Sequence, residues 1–389
     1  MNLVVVPFHD WRKIQKEGFR TRDAHFIEEL GKINSIRIII VNRPTTMVEI
    51  LLKKKFNLIK GRKILRKGGC TLYQLSELSY LIDYVSWDIF GQASEGHLWF
   101  LRKYQDKGFI KFINESLQVL RAEQDYIVLN QNIFAPGITL ELKPRISIFD
   151  AWDNFTKFDV YLKFRNQIID AYKKFSATCD FWITNSSDNV PVFQTDFRPK
   201  EIHLIRNGVD VSRFVNTKKG FGIPDDLKSI PKPVVGFGGK ITHLIDVSLL
   251  NATMELTPNA SFVFVGQILN KDVFKRIKKL PNFYYLGDKH YDEYPNYVKN
   301  FDICIIPYIV EERKKSGANT IKAYEYLASG KKVIGTYSNG LEELIDYIHI
   351  VNNPGEFSDE INDPQNKKKN IDLEFYSWEA KIRKFMNLL

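Results

Sequence analysis

The sequence predicts an α/β protein of two doubly wound domains, each a parallel sheet with helices on both faces, opposed across a cleft. Three observations carry that expectation. Short β-branched runs alternate with longer amphipathic stretches, the pattern of repeated βαβ units. The series occurs twice, on either side of an aperiodic interval at 207–232 that holds Asn207-Gly208, Pro224 and Pro231, with Pro233 just after it. The chain has 389 residues, more than one hydrophobic core usually serves.

The opening run Leu3-Val4-Val5-Val6-Pro7 reads as a first strand. It is too short for a secretory signal and no basic segment precedes it. Further strands are expected over 36–41, 126–129, 146–149, 181–184 and 202–205, with helices over 22–32 and 97–123. In the second half, strands are expected over 234–237, 261–265, 283–286, 303–306 and 332–335. Helices there fall over 247–256, 272–279, 294–300 and 320–329. A last helix starts after Ser377, a good N-cap residue. The expected domains are 1–207 and 208–370, with 371–389 returning to the first. In doubly wound sheets ligands bind beyond the C-terminal ends of the strands, which places the site in the interdomain cleft.

Hydrophobic residues at 44% and charged residues at 26% are those of an ordinary globular protein and exclude a disordered chain. The 13% aromatic content suits a core as well as stacking on sugars or bases. No apolar run approaches the roughly 18–20 residues that span a bilayer. Cys70, Cys179 and Cys304 are far apart and odd in number, with neither metal-ligand spacing nor a disulfide framework, so a cytoplasmic setting is expected.

The net charge of +10 favours anionic partners: nucleotide phosphates, a lipid pyrophosphate, a membrane surface or nucleic acid. Part of it is local. Lys53, Lys54, Lys55, Lys60, Arg62, Lys63, Arg66 and Lys67 are interleaved with Phe56, Leu58, Ile59, Ile64 and Leu65. A basic amphipathic segment at 53–67 can lie on anionic lipid, or it can be a solvated face over a normal core. There is no recognised nucleic-acid motif, and no nucleic acid is expected as a partner.

The chemistry points first to Ser316-Gly317-Ala318-Asn319-Thr320-Ile321-Lys322, which follows the run Asp302–Pro307 and a polar loop with Arg313, Lys314 and Lys315. Asn319 is a plausible N-cap and Gly330 the stop. A helix start offers unpaired N–H groups and a positive dipole to phosphate oxygens, and Lys322 adds a full charge. Glu325, three residues on, shares the face and can accept from ribose hydroxyls. The same spacing also suits a surface Lys–Glu pair. A second stretch, Val234-Val235-Gly236-Phe237-Gly238-Gly239-Lys240-Ile241, is a glycine turn that could admit a phosphate at Gly239 and Lys240. It is neither a dinucleotide fingerprint nor a P-loop, because Ile241 stands where each needs another residue.

The third constellation is Asp150-Ala151-Trp152-Asp153-Asn154, just beyond a strand. One Asp is expected to cap the next helix and the other to act as a base toward an acceptor hydroxyl. The loop His9-Asp10-Trp11-Arg12 borders the same cleft, with Trp11 as a possible stacking platform. His25 and His97 read as packed histidines. No metal site is expected. No Asp-x-Asp pair follows a strand, so the cationic helix start would stabilise the leaving diphosphate in a metal's place.

These residues resemble a family. Asn207-Gly208-Val209-Asp210 with Phe214 looks like the crossover of GT-B glycosyltransferases, and Lys322-Ala323-Tyr324-Glu325-Tyr326-Leu327-Ala328-Ser329-Gly330-Lys331 looks like their Lys-x-x-Glu-Tyr-Leu-Ala helix. Val263-Phe264-Val265-Gly266 and Tyr285-Leu286-Gly287 fall in the family's order. The likeness covers 200–345. The first domain is similar more loosely, through Arg22, His25 and the Asp150–Asp153 turn, to bacterial surface-polysaccharide enzymes such as the teichuronic acid transferases and the xanthan glucuronosyltransferase. The resemblance implies a GT-B fold and a glycosyltransferase using a nucleotide diphosphate sugar, with a UDP-sugar favoured. It implies a glycan or lipid-linked acceptor at the inner membrane face, and no cofactor. It implies that Lys322 meets the diphosphate, Glu325 the ribose, and that Asp153 is the base of an inverting transfer. Gly239, Lys240, Ser316, Asn319 and Thr320 complete the expected donor site. Two departures stand out. Gly317 occupies the position of the Glu of retaining members, and Lys240 is the sole cation near the glycine turn. A sugar-nucleotide 2-epimerase and a non-catalytic partner subunit of the same fold are the alternatives. Conversion of a UDP-sugar without an acceptor would reveal the first.

Overall fold

The computed structural model describes residues 1–389 except 55–57, 216–221, 311–318, 338–339, 364 and 366, and the side chain of Glu342. The chain has the expected α/β class. It divides into two compact units, Met1–Arg206 with Ile382–Leu389, and Asn207–Lys381. The last helix, Trp378–Met386, is therefore shared, its second half counting with the first unit. There Phe385 packs edge-on against Phe26.

The first unit is built on a sheet of β1 (Asn2–Val6), β2 (Arg37–Val41), β3 (Thr45–Thr46), β4 (Arg62–Lys67), β5 (Cys70–Gln74), β6 (Ser79–Ser86), β7 (Tyr126–Asn130), β8 (Ile146–Asp150), β9 (Phe181–Thr184) and β10 (Ile202–Leu204). Its order is β10-β9-β8-β7-β1-β2-β6-β5-β4, with β3 beside β6. Pairing is parallel except where β5 runs against β4 and β6. The central strands are almost continuous Val, Ile and Leu because helices cover both faces of a parallel sheet. Phe149 stacks on Phe175 at 3.8 Å, with Trp182 edge-on to it, in the core on one side.

Two expectations change here. The basic stretch becomes in part the edge strand β4, with Arg62, Lys63, Arg66 and Lys67 exposed. Charge on an edge strand blocks further pairing, so this part of the segment has a structural use. Lys55 and Phe56 lie outside the described residues. The long helix expected over 97–123 is two helices, Leu98–Lys103 and Lys107–Val119. Asp106 divides them, because its carboxylate accepts from the Phe109 N–H and caps a new helix.

The second unit carries β11 (Val234–Gly238), β12 (Ser261–Val265), β13 (Phe283–Tyr285), β14 (Ile303–Ile306), β15 (Lys332–Gly335) and β16 (His349–Ile350). All are parallel in the order β13-β12-β11-β14-β15-β16. Taken in sequence this is 3-2-1-4-5-6, the doubly wound order in which ligands bind where the winding reverses, between β11 and β14. Among the described residues no helix is long and apolar enough to cross a membrane. The three cysteines are buried and unbridged.

Candidate functional site

The reversal point of the second sheet is occupied by Lys322. Its helix, Ile321–Ala328, buries Ala323, Tyr324, Glu325, Tyr326 and Leu327. Tyr326 fixes the helix to β11: its hydroxyl accepts from the Gly238 N–H at 2.6 Å and lies 3.1 Å from the Gly238 carbonyl. Lys322 is one turn earlier on the same face, so it is carried into the crevice. Its ammonium donates to the Tyr308 hydroxyl at 2.7 Å and sits 4.1 Å from the centre of the Phe237 ring. Phe237 is the penultimate residue of β11 and Tyr308 follows β14, so the strands flanking the reversal each supply one wall.

Gly239 makes the space. Its φ is +132°, and a Cβ there would stand 2.5 Å from the Lys322 Nζ. Its N–H is used, donating to the Val265 carbonyl at 2.8 Å. Gly239 thus leaves room for the ammonium, whereas the sequence suggested a bare backbone for a phosphate. Lys240 follows it, half-buried.

Enclosure pulls the Lys322 ammonium down to about 7, against the opposing pull of Glu325. The apolar walls disfavour its charged form, and an anion in the crevice would restore it. Glu325 is buried and accepts from the Tyr291 hydroxyl at 2.6 Å. Burial and the Glu325 charge hold the Tyr291 phenol well above its ordinary value, so it remains the donor. The Arg213 guanidinium lies over the Tyr291 ring at 5.2 Å. A carboxylate that accepts from a phenol can accept from a diol in its place.

The other expected donor residues divide. Thr320, not Asn319, is the N-cap, and its side chain makes no capping bond. Asn319 is a buried strut. Its Oδ1 accepts from the Asn207 N–H at 2.9 Å, its carbonyl accepts from the Asn207 side chain, and its Nδ2 donates to the Tyr324 hydroxyl at 2.8 Å. Those bonds turn its amide into the protein and away from a cap. Ser316 and Gly317, with Arg313, Lys314 and Lys315, lie outside the described residues.

In the first unit the winding reverses between β1 and β7, and the chemistry gathers at the C-terminal ends of those strands and of β8. Asp150 receives Arg22 Nε at 2.9 Å and Gln131 Nε2 at 2.9 Å, fully buried. It is locked in a structural ion pair. Neither Asp caps the following turn, contrary to expectation: Asn154 does, accepting from the Thr156 N–H at 3.1 Å. Asn has the geometry of Asp at a cap without a charge to desolvate. Asp153 is buried, and its carbonyl accepts from the Tyr172 hydroxyl at 2.8 Å. Trp11 is no stacking platform. Its ring is buried edge-on against Phe19, and its backbone N–H donates to Asn42 Oδ1. Trp152 is part-exposed, against Phe8 and Phe155. His25 is fully buried, and His97 stacks on Phe134, where burial and Arg43 lower its proton affinity.

The feature that sequence reasoning missed is the His9–Asp23 pair. The His9 ring Nδ1 lies 3.0 Å from Asp23 Oδ2, and the His9 N–H donates to the same oxygen at 2.9 Å. Burial would raise the Asp23 carboxyl, but the adjacent His9 and the Thr21 hydroxyl hold it well below the usual carboxylate range. Asp23 is therefore an anion that orients the His9 ring through Nδ1. The available signal was a histidine directly after the first strand.

Residues 232–363 match the family described as Glycosyl transferases group 1. Solved structures with the same fold cover the whole chain. Burkholderia xenovorans α,α-trehalose-phosphate synthase (UDP-forming), in complex with glucose-6-phosphate, is 10% identical with a TM-score of 0.66, covering 100% of this chain and 99% of its own. Anabaena Alr3699/HepE in complex with UDP is 12% identical with a TM-score of 0.65, covering 100% of both chains. The chain thus has the GT-B fold of these structures, and residues 232–363 of its second unit are similar to the group 1 glycosyl transferases. Among individual proteins, it is 32% identical over 145 residues, 35% of this chain, to a candidate teichuronic acid biosynthesis glycosyltransferase, TuaH of Bacillus subtilis (strain 168). The match spans 34% of that relative's length.

Proposed function

We propose that the protein transfers a sugar from a UDP-sugar to a glycan or lipid-linked acceptor in bacterial surface-polysaccharide synthesis, at the cytoplasmic face of the membrane and without a metal or cofactor. The observation that carries this is the Lys322 ammonium at the sheet's reversal point, enclosed by Phe237 and Tyr308, with Glu325 three residues on. Lys322 would take its proton as the diphosphate arrives and neutralise the leaving group. Glu325 would exchange Tyr291 for ribose hydroxyls. The structural relatives solved with UDP and with UDP-glucose support a UDP-sugar donor. The TuaH likeness supports the polysaccharide setting.

In an inverting transfer, a base takes the acceptor hydroxyl proton as that oxygen bonds to the anomeric carbon. The bond from that carbon to the diphosphate breaks, and its electron pair leaves with UDP. Asp153 is the carboxylate for this step. His9 is the second candidate, because Asp23 holds it at Nδ1 in the way that lets an imidazole accept a proton at Nε2. A thermal-shift panel of UDP, GDP, ADP, CMP and their sugars tests the reading. UDP and one UDP-sugar should raise the melting temperature by mass action. No shift with any of them would overturn the donor site, and sugar epimerisation without an acceptor would overturn transfer.

A further inference from the structure

We propose that Arg43 and Lys13 form an oxyanion site in the first unit, so that the acceptor offered to this unit's base carries a carboxylate or a phosphate. That the anion belongs to an acceptor rests on the transfer reading above; the anion site itself stands independently of it.

Both cations stand at the C-terminal end of the first unit's sheet. Arg43 lies two residues beyond β2. Lys13 is in the helix Trp11–Glu17, the first after β1, which is the parallel neighbour of β2. Asn42 joins the two segments, its Oδ1 accepting from the Trp11 N–H at 2.7 Å. The Arg43 Nε is buried and has no hydrogen-bond partner among the described residues. The carboxylate beside it, Glu49, comes only to 4.0 Å of its Nη2. Glu49 is held more closely elsewhere, by Lys53 at 2.9 Å, the Thr45 hydroxyl at 3.2 Å and the Gln92 amide at 3.3 Å. Lys13 is in the same condition. Glu17 is 4.0 Å from its ammonium, while Arg20 binds that carboxylate at 2.7 Å. Among the described residues, then, neither cation has a carboxylate within hydrogen-bond distance.

Burial pulls the Lys13 ammonium below its ordinary value, and the Arg43 charge adds to that pull against Glu17. Like charges brought together and partly desolvated destabilise a fold, and an anion between them reverses the sign. A buried donor without a partner calls for the same explanation. The flat fork of a guanidinium matches the two oxygens of a carboxylate or a phosphate. The surroundings suit a sugar attached to that anion. The Arg43 guanidinium lies 4.8 Å over the Phe100 ring. From Phe100 an aromatic layer runs through Phe134 at 6.3 Å to Phe8 at 6.2 Å. Phe8 in turn meets His9 at 5.2 Å and Trp152 at 5.4 Å. Phe8 and Trp152 are half-buried, and so offer ring surface to the apolar face of a pyranose. An acceptor lying along this layer would have its anion at Arg43 and its reacting hydroxyl toward His9 and the Trp152–Asp153 turn.

The test is calorimetric titration of the full chain carrying K322M, so that an anion at Lys322 does not contribute. The probes are glucuronate, glucose 1-phosphate and, as the neutral control, glucose. At least one of the two anions should bind about tenfold or more tightly than glucose, as a hydrogen bond to a charged group requires. The anion preferred identifies the group as a sugar acid's carboxylate or a phosphate ester. Adding R43M should abolish the preference, and adding K13M should weaken it. R43K, which keeps the charge without the fork, should fall between. R43M should also melt no lower than its parent, because it relieves Lys13 of a like charge and removes an unpartnered donor. No binding of either anion, equal binding of glucose, or a preference that survives R43M would overturn the proposal. So would a lowered melting temperature in R43M with the preference intact in K13M and R43K, the result of a purely structural Arg43. UDP binding to wild type is measured separately. Its absence would count against the donor site alone, and the titrations would still decide the anion site.

Discussion

Replacing Lys322 with Met removes the ammonium while keeping the length of a side chain packed against Phe237 and Tyr308. A charge pair about 4 Å apart is worth about 4 kcal/mol at an effective dielectric of about 20. A hydrogen bond to a charged group contributes about 1.5–3 kcal/mol on its own scale. Against this, Lys322 titrates near 7 in the free protein, so half of the molecules must take up a proton at pH 7. That costs about 0.4 kcal/mol. A net loss of about 2–3 kcal/mol follows, and UDP should bind K322M about 30- to 150-fold more weakly. Calorimetry in buffers of different ionisation enthalpy reads both parts. Wild type should take up about half a proton per UDP at pH 7 and nearly one at about pH 8, and K322M none. Wild-type affinity should fall by up to about tenfold per unit above pH 7, while that of K322M stays flat. The free protein shows the opposite slope. Between about 7 and the ordinary 10.5 the unfolded chain holds a proton that the folded one lacks, so stability rises with pH across that window. K322M should lose that rise. Affinity of K322M within threefold of wild type, or no proton uptake by wild type, would refute the reasoning.

Three further outcomes are expected. G239A places a methyl group 2.5 Å from the Lys322 Nζ at a φ of +132°. It should lower stability by about 1–3 kcal/mol in urea titrations and weaken UDP binding as well; unchanged UDP affinity would show that the ammonium does not need its present place. D150A removes the buried carboxylate facing Arg22, and should cost about 3–5 kcal/mol of stability with no selective effect on UDP affinity. D153N and H9Q separate the two candidate bases, because the variant lacking the base should lose about 10²–10⁴ in kcat with UDP binding intact. Equal, small losses in both would remove each from that role.

The α/β class was legible because strands buried on both faces must be apolar along their length: Ser261–Val265 and Ile303–Ile306 stand in the sequence as they stand in the sheet. The helix Ile321–Ala328 was legible within a residue at each end, and the spacing of Lys322 and Glu325 put them on one face before any fold was known. Shorter polar switches were not. Asn154 replaced an Asp as cap, Thr320 replaced Asn319, and Asp106 split one expected helix in two, because competing caps differ little in energy and packing decides among them.

By itself, then, the sequence determined the periodicities, and with them the class of fold and the residue types available at the strand ends. Only the tertiary structure decided what those residues meet. Lys322 finds Tyr308 across 14 positions and Phe237 across a larger gap, His9 finds Asp23, and Arg22 finds Asp150 across 128. It also buried Trp11 and left Trp87 and Phe90 exposed, although all are aromatic residues just beyond or near strands. Local periodicity records which face of an element is apolar. Partner identity, enclosure and hence proton affinity depend on contacts between elements far apart in the chain, and nothing in a local pattern specifies them.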